Sequence, residues 1–288
     1  LSEEYNAKRI RFPDHVEIIK YQKIKKKPRP PTVKNIEPKV RDPDEEEIYQ
    51  YQQAQKIRRK IRYYCQSNDF DLFWTLTFND EKVDSRDYPY AKQRLRAWLK
   101  YQRETYGKFD YIFVAELHKS GRIHFHGITK RFNPPLAEAR NPKTNRLIKK
   151  GGLQIYNAPT WKNGFSTVSH IQDRAKTANY ISKYITKDLM AIPTGYKQPR
   201  YFVSRGLKQP EVDFLNLSDQ DLADFTPAFI SGEIDIETQK FSPTVSIYNL
   251  KENDQNELLQ ETSPETVIKS KIRSKNIKED FENEEADS

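Results

Sequence analysis

The stretch RIHFHGI, residues 122–128, restricts what this chain can fold into more than any other segment. Side chains at i and i+2 of a strand share a face. Ile123 and Phe125 then point one way, and His124 and His126 the other. The apolar face needs a second layer to cover it. YIFVAEL (111–117) precedes it across His118-Lys119-Ser120-Gly121, four turn-forming residues, so the two segments make a hairpin. The pattern around this hairpin predicts a strand LFWTLTF (72–78) and a helix over 87–105 with Tyr90, Leu95, Trp98 and Leu99 on one stripe. It predicts an inserted loop over 129–160, a strand GFSTVSH (164–170) and a long helix from 171 to 190. The order β-α-β-β-loop-β-α is that of an α+β domain, a small antiparallel sheet with helices packed on it.

The flanks read differently. Of 288 residues only 35% are hydrophobic and 32% are charged, too little apolar material for a uniform core, so part of the chain is expected outside any core. No apolar run approaches the ~18 residues of a helical membrane span. One cysteine, Cys65, excludes an intramolecular disulfide framework and a cysteine-based zinc site, and suits a reducing cytoplasm. The start, LSEEYNAKRIRF, lacks the apolar core of a signal peptide, and the sole methionine is Met190, as in a trimmed or partial product. Residues 209–288 hold 19 acidic and 7 basic residues, a net of −12, which leaves +21 on residues 1–208. Such a basic excess favours a polyanion, either nucleic acid or an anionic membrane surface. The expected organisation is a basic, extended N-terminal arm with a surface helix at 44–66 (together 1–66), the α+β domain (67–208), and an acidic, mostly disordered tail (209–288) with a short docking element near 211–230. In the helix at 44–66, Arg58, Arg59, Lys60 and Arg62 would suit the negative end.

Four features carry chemistry. His124 and His126 on one strand face can chelate a divalent metal, or be two half-exposed histidines. Glu116, across the hairpin from His124, adds a carboxylate; this donor set suits Mg²⁺ or Mn²⁺, with His118 competing as third ligand. In NYISKYITKD (179–188), Ala178, Ile181, Ile185 and Leu189 mark the core face of a helix. Tyr180, Lys183, Tyr184 and Lys187 fall opposite, two phenols a turn apart with two ammonium groups. A phenol with pKa ~10 becomes a nucleophile only with help, which a nearby lysine and a metal-bound phosphate supply. Thr75 and Thr77 share a face beside this site, where their hydroxyls either contact sugar and phosphate or serve only as strand formers.

FWTLTF, Glu116, RIHFHGI and Tyr180-x-x-Lys183-Tyr184, in that order, resemble motifs one to three of the HUH endonucleases. The two-tyrosine version is similar to the rolling-circle replication initiators of the Microviridae, small single-stranded DNA phages. The resemblance covers roughly 70–208, and RYFVSRGLK (200–208) also looks like the segment after the tyrosine helix in such proteins. It implies a ferredoxin- or RRM-like HUH fold with Mg²⁺ or Mn²⁺ on His124, His126 and Glu116. It implies Tyr180 and Tyr184 as nucleophiles assisted by Lys183, and DNA contacts from Thr75, Thr77, Arg122 and Lys187. The reaction would nick single-stranded DNA at an origin through a 5′-phosphotyrosine and rejoin it. The partners would be a single-stranded or supercoiled DNA origin with a host DNA polymerase and helicase, in the cytoplasm of a bacterial host. No GxxxxGK[ST] phosphate loop occurs in the chain, so unwinding falls to a partner. The rival readings are an HUH relaxase or transposase using the same site, and a non-catalytic single-stranded nucleic-acid-binding protein with stacking aromatics.

Overall fold

The computed structural model describes residues 3–28, 41–185, 189–190, 200–235 and 238–272. The chain runs through β1 (Glu4–Arg11), β2 (Val16–Lys26), α1 (Pro43–Ser67), β3 (Leu72–Phe78), α2 (Tyr88–Tyr106), β4 (Asp110–Leu117) and β5 (Ile123–Lys130). Short strands follow: β6 (Ala137–Glu138), β7 (Lys149–Lys150), β8 (Leu153–Gln154) and β9 (Tyr156–Asn157). Then come β10 (Gly164–His170), α3 (Arg174–Ser182) and β11 (Tyr201–Val203). The last part holds β12 (Glu211–Leu215), β13 (Phe229–Ile234), β14 (Phe241–Glu252), β15 (Leu258–Leu259) and β16 (Val267–Ile272). These elements form two units, residues 42–208 and a unit made of 1–41 with 209–288.

In the first unit the alternation of LFWTLTF does what the period of two requires. Leu72, Trp74, Leu76 and Phe78 are buried, while Phe73, Thr75 and Thr77 turn to the other face. The sheet order is β11-β4-β5-β3-β10-β9-β6, antiparallel throughout, which is the expected α+β architecture. RYFVSRGLK supplies the edge strand β11 beside β4. Helix α2 starts where the Asp87 carboxylate accepts from the Tyr90 N–H at 3.1 Å, and ends at Gly107, whose φ of 86° suits glycine. Its buried stripe is Tyr88, Ala91, Leu95, Trp98 and Leu99. Tyr90, expected on that stripe, lies on the exposed side of the helix. Trp98 meets Trp74 edge-on at 5.6 Å and Phe113 at 6.0 Å. Each such side chain contributes about 1.5–3 kcal/mol by leaving water.

Helix α1 belongs to this unit and packs against α3 rather than lying on a surface. Its apolar residues are few but well placed, with Ala54, Ile61 and Cys65 buried. The Asp42 carboxylate caps it by accepting from the Glu45 N–H at 2.7 Å. The helix runs on to Ser67, so the basic residues 58–62 sit in its body, and its last turn has none. Asn68 ties both ends of the unit together: its amide donates to the Lys208 carbonyl at 2.9 Å and accepts from the Lys208 N–H at 3.0 Å.

The second unit corrects the expectation of an extended arm and a disordered tail. The two flanks pair with each other in a sheet of order β12-β1-β2-β14-β13-β16, with β15 beside β14. All its pairs are antiparallel except β13–β16. Their apolar residues are too sparse to form a core separately. Combined, β2, β14 and the turn near 222 bury Val16, Ile18, Leu222 and Leu250 together. The opposite charges of the flanks meet there. Arg9 pairs with Asp213 at 3.0 Å, Arg11 pairs with Glu252 at 2.8 Å, and Arg11 also contacts Asp213. The domain 42–208 is thus an insertion between β2 and β12.

Candidate active site

The hairpin register places Glu116 directly across from His124. Ile123 and Phe125 are buried on the far face, so both imidazoles are presented on the near one. Each is held from β3. The Thr75 hydroxyl lies 3.1 Å from His126 Nδ1, and the Thr77 hydroxyl 3.2 Å from His124 Nδ1. The threonines are therefore spent on the imidazoles rather than presented to a ligand. A hydroxyl both donates and accepts, so it supports either tautomer of its histidine. His126 Nε2 lies 2.8 Å from Glu116 Oε2, which leaves Nδ1 to accept from Thr75 while Glu116 is ionised. The hydrogen bond from His126, chiefly, holds the Glu116 carboxyl below its usual range against the cost of partial burial. Burial pushes His124 below the ordinary histidine range, towards the neutral form that ligates metals.

Behind His126, the backbone passes close to a ring. A Cβ on Gly127 would sit 2.2 Å from a Phe113 ring atom, so only glycine lets the two strands approach here. His118 stays at the exposed hairpin turn, its Nδ1 3.0 Å from the Ser120 hydroxyl and its ring 5.8 Å from that of His124.

Helix α3 brings in the phenols. Asp173 caps it by accepting from the Lys176 N–H at 2.9 Å. Ala178, Ile181, Ile185 and Leu189 are fully buried, the expected core face. The helix is shorter than its sequence pattern predicts. It ends at Ser182, and the Tyr184 and Ile185 N–H groups bond back three residues, to Ile181 and Ser182, in a tightened turn. That turn carries Tyr184 inward, off the exposed side where an unbroken helix would put it. Its ring stacks on His126 at 3.7 Å with 7° between planes, and the residue is only 8% exposed. Tyr180 remains 37% exposed, edge-on to Tyr184 at 5.5 Å and to Phe73 at 5.3 Å. The Lys183 ammonium lies 3.8 Å from the Tyr180 ring centre and 5.0 Å from that of Tyr184. Burial first, then the hydrogen bond with Tyr180, raises the Tyr184 pKa well above that of a free phenol.

The structure thus gathers Glu116, His124, His126, Thr75, Thr77, Tyr180, Lys183 and Tyr184. It pairs Arg122 with Asp80 at the start of β5, and Lys187 lies outside the described residues. Sequence reasoning missed Phe165. Register sets Phe165 beside Thr77, on the histidine-bearing face, and it is 71% exposed. The alternation of GFSTVSH held the signal, since Ser166 and Val168 take the buried positions.

Among the described residues, no three His, Cys, Asp or Glu side chains are spaced as a metal cage, because Glu116 closes on His126. The donor chemistry still fits a hard divalent cation: two threonine-steered imidazoles and one ionised carboxylate on one face.

Residues 71–189 match a family model described as Replication-associated protein, of the ORF2 type. The matched span includes every site residue named above and supports a rolling-circle replication initiator, without extending to the Microviridae. No curated protein and no solved structure matches the chain.

Proposed function

We propose that this replication-associated chain nicks and rejoins single-stranded DNA at an origin through a phosphotyrosine, as an HUH-type endonuclease. The observation that carries this reading is the meeting of Tyr184, Tyr180 and Lys183 with the His126–Glu116 pair, from three separate chain segments. A tyrosine Oη bonds to phosphorus as the P–O3′ bond breaks. The phenol loses its proton, the 3′ oxygen takes one up, and a 5′-phosphotyrosine is left. Lys183, above both rings, steadies the negative charge on the phenolate and the phosphoryl oxygens. Thr75 and Thr77 keep the imidazoles turned, and Phe165 offers a surface on which a base of the bound strand stacks. A bound Mg²⁺ or Mn²⁺, held by His124, His126 and Glu116, supplies polarisation of a phosphoryl oxygen. The free 3′ end primes a host polymerase, a host helicase opens the duplex, and the setting is the cytoplasm of a bacterial host.

The test is incubation of the full chain with labelled single-stranded origin DNA and Mn²⁺, followed by mass spectrometry of the adduct. A DNA–tyrosine adduct at 180 or 184, lost on chelation and in a His124→Ala/His126→Ala variant, is the expected result. DNA binding with no adduct under any metal would leave a non-catalytic binder instead. Cleavage indifferent to chelator would remove the metal assignment.

A further inference from the structure

The inserted segment between β5 and β10 is unlike the rest of its unit in charge. Residues 131–163 hold seven basic residues and a single acidic one, Glu138. Glu138 is taken by Arg140 at 2.8 Å. Lys143, Arg146, Lys149 and Lys150 are all exposed, and none of the four has a carboxylate partner among the described residues.

The segment is also ordered. Arg140 bridges Leu147, and the Ala139 N–H donates to the Ile155 carbonyl at 2.9 Å. The Ile148 N–H donates to the Ala139 carbonyl at 2.8 Å, and β7 pairs with β8. Two tight turns project from this small ribbon. In one, Asn141 accepts from the Lys143 and Thr144 N–H groups and Asn145 adopts a positive φ of 54°. In the other, Gly151 and Gly152 both take positive φ, as a two-residue hairpin turn requires. Four unpaired cations on a fixed ribbon cost repulsion that nothing within the ribbon relieves.

We propose that this ribbon, residues 137–157, is a second nucleic-acid site that grips duplex DNA flanking the strand held at the histidine-bearing face. Residue type selects duplex over single strand. Single-strand sites rely on stacking aromatics, and residues 138–155 contain no Phe, Tyr or Trp. They present instead a two-stranded ribbon of the width a major groove admits, cations for phosphates, and half-exposed Leu147 and Ile148 for thymine methyls. Placement agrees. In the sheet order, β9 is three strands from β5, about 14 Å at the usual strand spacing. That is about four base pairs of duplex rise. One DNA molecule can therefore reach both sites when its duplex begins a few nucleotides from the cut. The proposal rests on the chain acting on DNA, and adds where the double-stranded part of an origin is held.

The test measures binding of the full chain, without divalent metal, to two labelled probes across a salt titration. One is a single-stranded oligonucleotide, and the other is the same strand continued into a duplex arm. For Lys143→Gln/Arg146→Gln/Lys149→Gln/Lys150→Gln, the slope of log K against log salt on the junction probe should shrink by about 2–4, at ~0.9 for each phosphate no longer neutralised. Affinity for the single strand should stay within about twofold, a margin small beside any such slope change. Lys149→Glu/Lys150→Glu, whose sites are exposed and outside the core, should act in the same direction. An unchanged junction slope would show the ribbon to be only a solvated face. An equal loss on both probes would assign it to single strands and overturn the duplex proposal. Because binding is read without cleavage, a chain that forms no adduct yet shows the slope change loses the nicking reading and keeps this one.

Discussion

Stacked flat on His126, Tyr184 is tied by its hydroxyl to Tyr180, and both burial and that hydrogen bond favour the neutral phenol. Tyr180 stands nearer solvent under the Lys183 ammonium. The two phenols, equivalent in a bare Tyr-x-x-Lys-Tyr pattern, are therefore unequal in the folded chain. Each unit by which a phenol's pKa rises costs about tenfold in phenolate. In a single-turnover reaction on a short oligonucleotide, the first adduct should map to Tyr180. Tyr180→Phe should slow that first cleavage about tenfold or more relative to Tyr184→Phe, the cost of one pKa unit. Both single variants should fail to sustain repeated rounds, and the double variant should form no adduct while still binding DNA. A first adduct found on Tyr184 would reverse this order.

Among elements, the pairing of α1 with α3 matters most for the site. Arg58 Nε donates to the Ile185 carbonyl at 2.7 Å, at the turn that carries Tyr184 inward. A hydrogen bond from a charged, half-buried donor is worth about 1.5–3 kcal/mol, so its loss loosens that turn specifically. Arg58→Ala should lower the rate of adduct formation several-fold while leaving affinity for single-stranded DNA unchanged, and Arg58→Lys should restore part of it. An unchanged rate would reduce the contact to packing. In the terminal sheet, burial works against ionisation of Asp213, but the hydrogen bonds from Arg9 and Arg11 outweigh it and hold its pKa below the ordinary value. The folded state then binds fewer protons than the unfolded one. Its stabilisation is complete above about pH 4, the unfolded value, and is lost as pH falls through the lower folded pKa. Amide exchange in β1 should therefore accelerate as the solution is acidified below about pH 4, and Asp213→Asn should flatten that response. The same profile in wild type and variant would count against the ion-pair account.

At the scale of the whole molecule, the charge asymmetry divides along the fold rather than along the chain. Residues 42–208 hold 31 basic and 17 acidic residues, a net of +14, and the flanks together hold 19 basic and 24 acidic, a net of −5. Deleting an acidic tail would be expected to free a basic DNA surface, but residues 232–288 include β14, which pairs with β2, and β16. Their removal should unfold the terminal unit, making residues 1–28 protease-sensitive; a truncation that keeps β1 and β2 protected would contradict this architecture. The order of strands and helices in 70–190, the two faces of β5 and the core face of α3 were legible in the sequence, because period-two and 3.6-residue patterns are local consequences of backbone geometry. So were the chemical types gathered at the site, since their spacing follows from the same periods. The inequality of Tyr180 and Tyr184, the use of Thr75 and Thr77 on the imidazoles, the exposure of Phe165 and the union of the two flanks were decided only in three dimensions. Each depends on contacts between residues tens to hundreds of positions apart, such as Arg9 with Asp213 and His126 with Tyr184. No local period encodes such pairings. They are selected when sparse apolar surface and unpaired charge find the one arrangement that buries and neutralises both.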